Sequence, residues 1–337
     1  MIVLGIESSC DECSAALVQD GRQILSNVIA TQIPFHAPWG GVVPEIASRK
    51  HAEWISSVVN EAFQRASLPL EAADGVAVTS QPGLMGSLLV GLSFAKAFAW
   101  ARRVPFTACD HMLAHLYASR LDMPGIQTPP PYPFLALLVS GGHTLICRVE
   151  DFRTMTVLGT TVDDAAGEAF DKVSKHYGWG YPGGKHIDEY ARTGNAAAFA
   201  FPVPKLHHGS PYDVSYSGLK TAAIHQCEFF RKQAETTAAD LAASFQKAAI
   251  DVLIRALLNA VQDTGITTIV TGGGVAANSY LRSCLAAQQN VSCIFPAPEL
   301  CGDNAAMVAG LGFEYLSRGI YTPFSVTANP RRAFRLS

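Results

Sequence analysis

The chain has 337 residues, of which 49% are hydrophobic and 16% charged, and a formal net charge of -3. Such a chain can bury a large core and is long enough for two lobes or two domains. The charge excludes nucleic-acid binding by bulk electrostatics, although a few well-placed Lys or Arg can still contact phosphate.

The opening residues, Met1-Ile2-Val3-Leu4-Gly5, lack the charged and apolar regions of a leader, and the eight cysteines are scattered. Both features point to a cytoplasmic protein with free thiols and no membrane association. The apolar run from Gly83 to Trp100 is interrupted by Lys96 and by Gly and Ser, which fits a buried core helix better than a membrane span.

Residues 2 to 6 read as a buried strand and residues 14 to 18 as its return, joined by the polar turn Glu7-Ser8-Ser9-Cys10-Asp11-Glu12. Backbone N–H groups and hydroxyls of such a turn can face a phosphate, while a carboxylate orders a water or a metal. Pro44 opens an amphipathic helix over about 45–66. A short strand at 76–79 is followed by Pro82-Gly83 and a helix over 84–101, in which Gly86 and Gly91 point to close packing or ligand approach. In Asp110-His111-Met112-Leu113-Ala114-His115, helical spacing places the two imidazoles one turn apart, with Cβ atoms roughly 5–6 Å from each other. Both can reach one ion; a third ligand has to come from elsewhere, and Asp303 is the candidate.

The Pro-rich stretch 124–133 reads as a linker between a first lobe, 1–123, and a second, 134–337, whose C-terminal segment is expected to pack back on the first. Beyond the linker the strand–turn–strand theme returns, as 134–139, Ser140-Gly141-Gly142-His143-Thr144 and 145–149. That repetition suggests an internal duplication with two facing phosphate-type turns. A helix over 163–177 would align Asp164, Glu168 and Asp171 on one face. Tyr181 to Gly184 opens another short helix, Ser215 to Lys220 reads as a helix N-cap, and 237–264 is a long apolar helix. A strand at 268–271 runs into Gly272-Gly273-Gly274 and Asn278, which can cap the helix from Ser279 or read a base or ribose. This glycine run has neither the dinucleotide nor the Walker spacing. Asp303 falls in the first turn of the last helix, where a carboxylate is stabilised.

Taken together, Gly5 to Glu12, Gly40 to Glu45, His111 with His115, Leu138 to Thr144, Asp163 to Lys172, Tyr181 to Gly184, Ser217 to Lys220, Gly272 to Asn278 and Gly302 to Asn304 resemble the bacterial tRNA threonylcarbamoyladenosine synthase catalytic subunits, formerly called the glycoprotease or O-sialoglycoprotein endopeptidase family. The resemblance runs from residue 3 to about residue 330. It implies an α/β chain with the duplicated, two-lobed fold of actin, the sugar kinases and the heat-shock ATPases, around a central nucleotide cleft. It also implies acyl transfer: the L-threonylcarbamoyl group passes from threonylcarbamoyl-adenylate to N6 of the adenosine at tRNA position 37, in tRNAs reading ANN codons.

By the same resemblance His111, His115 and Asp303 would hold a divalent metal, Fe2+ first and Zn2+ second. Leu138, Val139, Ser140, Gly141, Gly142, Asp171, Gly184 and Asn278 would hold the adenylate or ATP. The implied partners are tRNA, a smaller paralogous subunit, an ATPase subunit and an upstream adenylate-forming enzyme. Chemistry adds the need for a base near the attacking amine, with Asp11 or Glu12 as candidates. The chain departs from the family at Leu113 and Ala114, which stand where Glu and Gly are common, at Cys13, and at Ser80-Gln81. The alternative readings are a metalloprotease, which lacks the expected Glu after His111, a non-catalytic nucleotide-binding paralogue, and a sugar kinase or ATPase. Arg102-Arg103, Lys205 with His207-His208, and Arg331-Arg332 with Arg335 are the candidate tRNA patches.

Overall fold

A computed structural model of the chain describes residues 1–122, 129–202, 206, 208–230 and 237–331, the side chains of 226–230 excepted. The linker expected at 124–133 falls partly outside these residues, as do Lys205, His207, Arg332 and Arg335. The chain divides into two compact units: one holds Met1–Pro130 and takes up the chain again from Pro296, and the other is Pro131–Phe295.

In the first unit the strands are β1 (Ile2–Glu7), β2 (Glu12–Gln19) and β3 (Gln23–Thr31). There follow α1 (Ile33–His36), α2 (Pro44–Arg65), β4 (Gly75–Gln81), α3 (Met85–Arg102), β5 (Phe106–Asp110) and α4 (His111–Tyr117). The sheet order is β3-β2-β1-β4-β5. Strands β1, β2 and β3 are antiparallel neighbours, whereas β4 and β5 add in parallel. Strand β1 lies centrally, so its run of apolar residues is buried on both faces.

The second unit contains β6 (Phe134–Val139), β7 (Thr144–Val149), β8 (Met155–Thr160), α5 (Ala166–Tyr177) and α6 (Gly183–Ala191). It continues with α7 (Ser217–Phe230), α8 (Ala238–Thr264), β9 (Thr268–Gly272), α9 (Ser279–Ala286) and β10 (Ser292–Ile294). Its sheet order, β10-β9-β6-β7-β8, repeats that of the first unit strand for strand. The opening hairpins match as well: Glu7 stands opposite Ser14 in one, and Val139 opposite Thr144 in the other. A core of Phe170, Tyr216, Phe245 and Leu253 fills the second unit, and the Tyr216 hydroxyl, buried with it, donates to the Ala249 carbonyl at 3.1 Å.

The last helix, α10 (Ala305–Leu316), belongs to the first unit and lies against β1. It approaches closely because Gly5 has no side chain; a Cβ there would stand 2.2 Å from the Ala305 carbonyl oxygen. The Ser14 hydroxyl then accepts the Ala305 N–H at 2.9 Å. Helix α3 uses the same device: a Cβ on Gly91 would meet Ser8 Oγ at 2.2 Å, and one on Gly86 would meet Ser48 Cβ at 2.9 Å. Both glycines therefore serve packing, of α3 on the β1–β2 turn and on α2.

Several local expectations are corrected. Helix α5 begins at Ala166 and not at 163, because Asp163 and Asp164 are engaged outside it. Asp163 accepts the backbone N–H groups of Tyr216 at 2.7 Å and Ser217 at 3.3 Å, so it supplies the N-terminal cap of α7 in place of Ser215. Asp164 pairs with Lys172 at 2.8 Å and with Lys220, and does not share a helix face with Glu168 and Asp171. Asp303 precedes the N-cap of α10, which is Asn304, its side chain accepting the Met307 N–H at 3.1 Å. Strands β3, β5, β8 and β10 have no counterpart in the sequence reading; β3 lies at an edge of its sheet, and Ser26 and Asn27 break its apolar pattern. Among the described residues no helix is long and apolar enough to cross a membrane.

Gly5→Ala should destabilise the protein by about 1–3 kcal/mol, since the collision is with backbone that cannot rotate away. Gly141→Ala, where an added Cβ meets nothing within 4 Å, should change stability by less than about 0.5 kcal/mol. Denaturant midpoints at constant slope measure both.

Candidate metal centre

Helix α4 starts directly from the end of β5. The Asp110 carboxylate accepts the N–H groups of Met112 at 3.0 Å and Leu113 at 3.1 Å, which fixes the first turn. His111 and His115 then project from one face, both buried, with ring centroids 4.5 Å apart. Their Nε2 atoms lie 3.1 Å from each other. Asp303, carried in by the close seating of α10, places Oδ1 3.1 Å from His115 Nε2 and 3.5 Å from His111 Nε2. Among the described residues these three form the one grouping of His, Cys, Asp and Glu with the spacing of a metal site.

The triangle fits an ion. Donors bound at about 2.1 Å stand roughly 3.0–3.4 Å apart around an octahedral or tetrahedral centre. The environment fits as well. His111 Nδ1 faces Glu7 Oε2 at 3.3 Å and Ser9 Oγ at 3.2 Å. A carboxylate behind the far ring nitrogen sets the tautomer whose Nε2 lone pair faces inward. Glu7 is fully buried and also accepts the Ser9 N–H at 2.6 Å and the Thr79 hydroxyl.

The electrostatics of the cluster are compatible with a cation. Burial by itself would lower the His111 pKa, but the carboxylates of Asp303 and Glu7 reverse this and push it up to about 9. Burial would raise Glu7, yet the adjoining His111 holds it below the ordinary carboxylate value. Glu7, His111 and His115 are buried, and the half-buried Asp303 joins them. A divalent ion in place of the His111 proton would balance the two negative charges. His115 Nδ1 is buried and without a hydrogen-bond partner.

The β1–β2 turn carries Asp11 and Glu12 beside this centre. The Asp303 charge acts on both. Glu12 Oε1 accepts the Thr31 hydroxyl at 2.8 Å, while its Oε2 is buried and unpartnered. Burial pushes the Glu12 carboxyl up to about 8, and burial likewise raises Asp11. The Cys10 thiol is raised well above its ordinary value by burial and by Asp11, which disfavours the thiolate. The described cysteines, Cys10 and Cys13 among them, form no disulfide.

The remaining predicted residues lie in the second unit. Leu138 and Val139 end β6, and the turn after them is closed by Ser140 N–H to the His143 carbonyl at 2.8 Å and His143 N–H to Ser140 Oγ at 3.1 Å. Gly141 and Gly142 leave open space above their backbone. Gly273, at φ 89, rests on this turn, where a Cβ would meet the Val139 carbonyl oxygen at 2.4 Å, so the two glycine-rich segments are neighbours. The Asp171 carboxylate accepts the Gly183 N–H at 2.6 Å, which joins α5 to the start of α6 beside Gly184. Asn278 caps α9 through the Leu281 N–H at 3.0 Å and donates to Gln246 Oε1 at 2.8 Å, leaving one N–H uncommitted by these bonds.

Sequence gives Thr79 no role, and Glu7 and Ser9 only the one shared by their whole turn, whereas the structure puts both against His111. The signal available was a charged residue ending an apolar central strand, since an acid there is buried only with partners.

The family model described as TsaD, tRNA N6-adenosine threonylcarbamoyltransferase, matches residues 23–310. A tRNA N6-adenosine threonylcarbamoyltransferase of Treponema denticola is 59% identical over 333 residues, which cover 98% of this chain and 97% of the relative. One from Geobacter metallireducens is 50% identical over 332 residues, covering 97% and 96%. Among solved structures, component A of the (R)-2-hydroxyglutaryl-CoA dehydratase of Acidaminococcus fermentans superposes with a TM-score of 0.56 at 14% identity, covering 94% of this chain and 99% of that one. HypF of T. kodakarensis gives 0.58 at 14% identity, over 94% of this chain and 48% of that one. These likenesses show the fold, the duplicated α/β fold of the actin-like ATPases.

Glu7→Gln should lower divalent-ion affinity by about 10–100-fold, measured by equilibrium dialysis of folded protein. A carboxyl whose folded pKa is raised costs stability once the unfolded chain ionises. Glu12 is therefore expected to erode stability as pH rises from 4.5, the ordinary value for a glutamate, to about 8. In Glu12→Gln that decline should flatten, as read from denaturant midpoints between pH 5 and 9.

Proposed function

The chain belongs to the tRNA N6-adenosine threonylcarbamoyltransferase family, and from that premise we propose how its residues perform the transfer. It is an acyltransferase that modifies tRNA. We assign it the adenosine at position 37 of tRNAs reading ANN codons as acceptor and threonylcarbamoyl-adenylate as donor. The single observation that carries the mechanism is the convergence of the buried His111 and His115 with the half-buried Asp303 in the first unit.

The donor is a mixed carbamic–phosphoric anhydride. The N6 amine attacks the carbamoyl carbon, a C–N bond forms, the bond from that carbon to the phosphate oxygen breaks, and AMP leaves. His111, His115 and Asp303 would hold a divalent ion, Fe2+ first and Zn2+ second, which when bound supplies a Lewis acid for the oxygens of the donor. His111 is oriented for this by Glu7 and Ser9.

Glu12 takes the proton from the attacking amine. Its carboxyl, pushed up to about 8, is matched to a base working near neutral pH, and Asp11 is the second candidate for the same proton. In the second unit, Leu138 to Gly142, Asp171, Gly184 and Asn278 would hold the adenylate, the open turn of Gly141 and Gly142 offering backbone N–H groups to phosphate.

The proposed partners are tRNA, a smaller paralogous subunit, an ATPase subunit and an enzyme that makes the adenylate. A protein partner is supported by α3, whose outer face exposes Met85, Leu89 and Trp100. The protease reading lacks the Glu it needs directly after His111: that residue is Met112, 1% exposed in the core, and Leu113 is buried behind it. A non-catalytic paralogue has no need of three converged donors.

Bulk tRNA from cells depleted of this protein should lose threonylcarbamoyladenosine by nucleoside analysis, and wild-type protein should restore it. His115→Ala should fold, fail to bind the ion and fail to restore the nucleoside. Unchanged nucleoside in a strain without a second copy would remove this reading.

A further inference from the structure

We propose that His51, in α2, is a positioning residue for the transfer, holding the Cys10 carbonyl and with it the turn that brings Asp11 and Glu12, the two candidate bases, to the reaction. The inference rests on the reaction proposed above. His51 is fully buried, and its Nε2–H donates to the Cys10 carbonyl oxygen at 2.9 Å. Its Nδ1 is buried without a hydrogen-bond partner. An apolar side chain of the same volume would fill the space without stranding an acceptor, so the Nε2–H is what the site uses. Burial depresses the imidazole pKa, which keeps the ring neutral.

The bond is one of three that grip the same turn. The Ser9 carbonyl accepts the Leu84 N–H at 2.7 Å, and the Asp11 carbonyl accepts the Gln32 N–H at 3.1 Å. Gln32 is itself fully buried and held by its side chain, Nε2 donating to the Ala47 carbonyl at 3.3 Å and Oε1 facing His36 Nε2 at 3.2 Å. Three successive carbonyls are thereby drawn toward α2, the start of α3 and the end of β3. Because each peptide is planar and trans, its N–H points opposite to its C=O. The N–H groups of Cys10, Asp11 and Glu12 consequently turn away from Leu84, His51 and Gln32. The same turn supplies Ser9 Oγ to His111 and carries both candidate bases. His51 is the side chain among the three donors, and so the one that substitution can remove without touching the main chain.

The test compares His51→Leu, which has no donor, with His51→Gln, whose amide nitrogen reaches the position of Nε2. His51→Asn keeps polarity but is too short to reach Cys10, and replaces the Leu variant should that one not fold. In folded His51→Leu of unchanged metal content, amide hydrogen exchange at Cys10, Asp11 and Glu12 should quicken, and kcat for transfer should fall by about a hundredfold. His51→Gln should restore both readouts to near the parent values. The proposal is overturned if the donorless variant, folded and loaded, exchanges and turns over as the parent does. It is equally overturned if His51→Gln loses as much kcat as His51→Leu. Absence of transfer by the parent protein would instead refute the reaction proposed above, and the exchange comparison would still decide the role of His51.

Discussion

A carboxylate removed from water must meet positive charge or hydrogen-bond donors, and Glu7 at the end of the central strand imposes that requirement on the first unit. Ser9, Thr79 and His111 answer it. By accepting from His111 Nδ1, Glu7 settles which nitrogen of that ring is free, and by lying behind the ring it settles where the free nitrogen points. Asp303 and His115 complete the arrangement from elements far apart in the chain. Two carboxylates set against two imidazoles, three of these four groups buried, are compatible with a bound cation, which is the physical basis for reading the cluster as a candidate metal centre.

That arrangement depends on close backbone packing. Helix α10 can deliver Asp303 only if it lies almost in contact with β1, and Gly5 removes the side chain that would prevent it. Ser14 then ties the start of α10 to β2. On the other side of the turn, Gly91 admits α3 against Ser8. The β1–β2 turn is thus pressed between elements whose glycines allow close approach, while its carbonyls are held by donors from three neighbouring segments.

The second unit repeats the strand order of the first and uses the equivalent turn differently. Where the first unit has Glu7 to Glu12, with buried acids and a histidine partner, the second has Ser140 to His143, with open glycine backbone and no carboxylate. One topology therefore offers a turn suited to a cation and another suited to a phosphate. Family membership, with half or more of the residues identical in the T. denticola and G. metallireducens relatives, places this pair of turns in a tRNA-modifying transferase.

Local chemistry was legible in the chain itself. The central strands, the helices led by Pro44 and Asp110, the spacing of His111 and His115, and the repeated strand–turn–strand follow from apolar periodicity, capping and turn residues, all of which act over a few positions. The edge strand β3 escaped because hydrogen bonding to β2, not its own pattern of burial, makes it a strand. Asp163 looked like the start of a helix and is a cap for another, because a carboxylate accepts N–H groups wherever the fold brings them. Only the tertiary structure could show that Glu7 stands behind His111, that Asp303 precedes its helix and not its first turn, or that His51 holds Cys10. These pairings join residues separated by up to 104 positions, and distances of that kind are decided by packing against glycine and by the demands of buried charge, which no local pattern encodes.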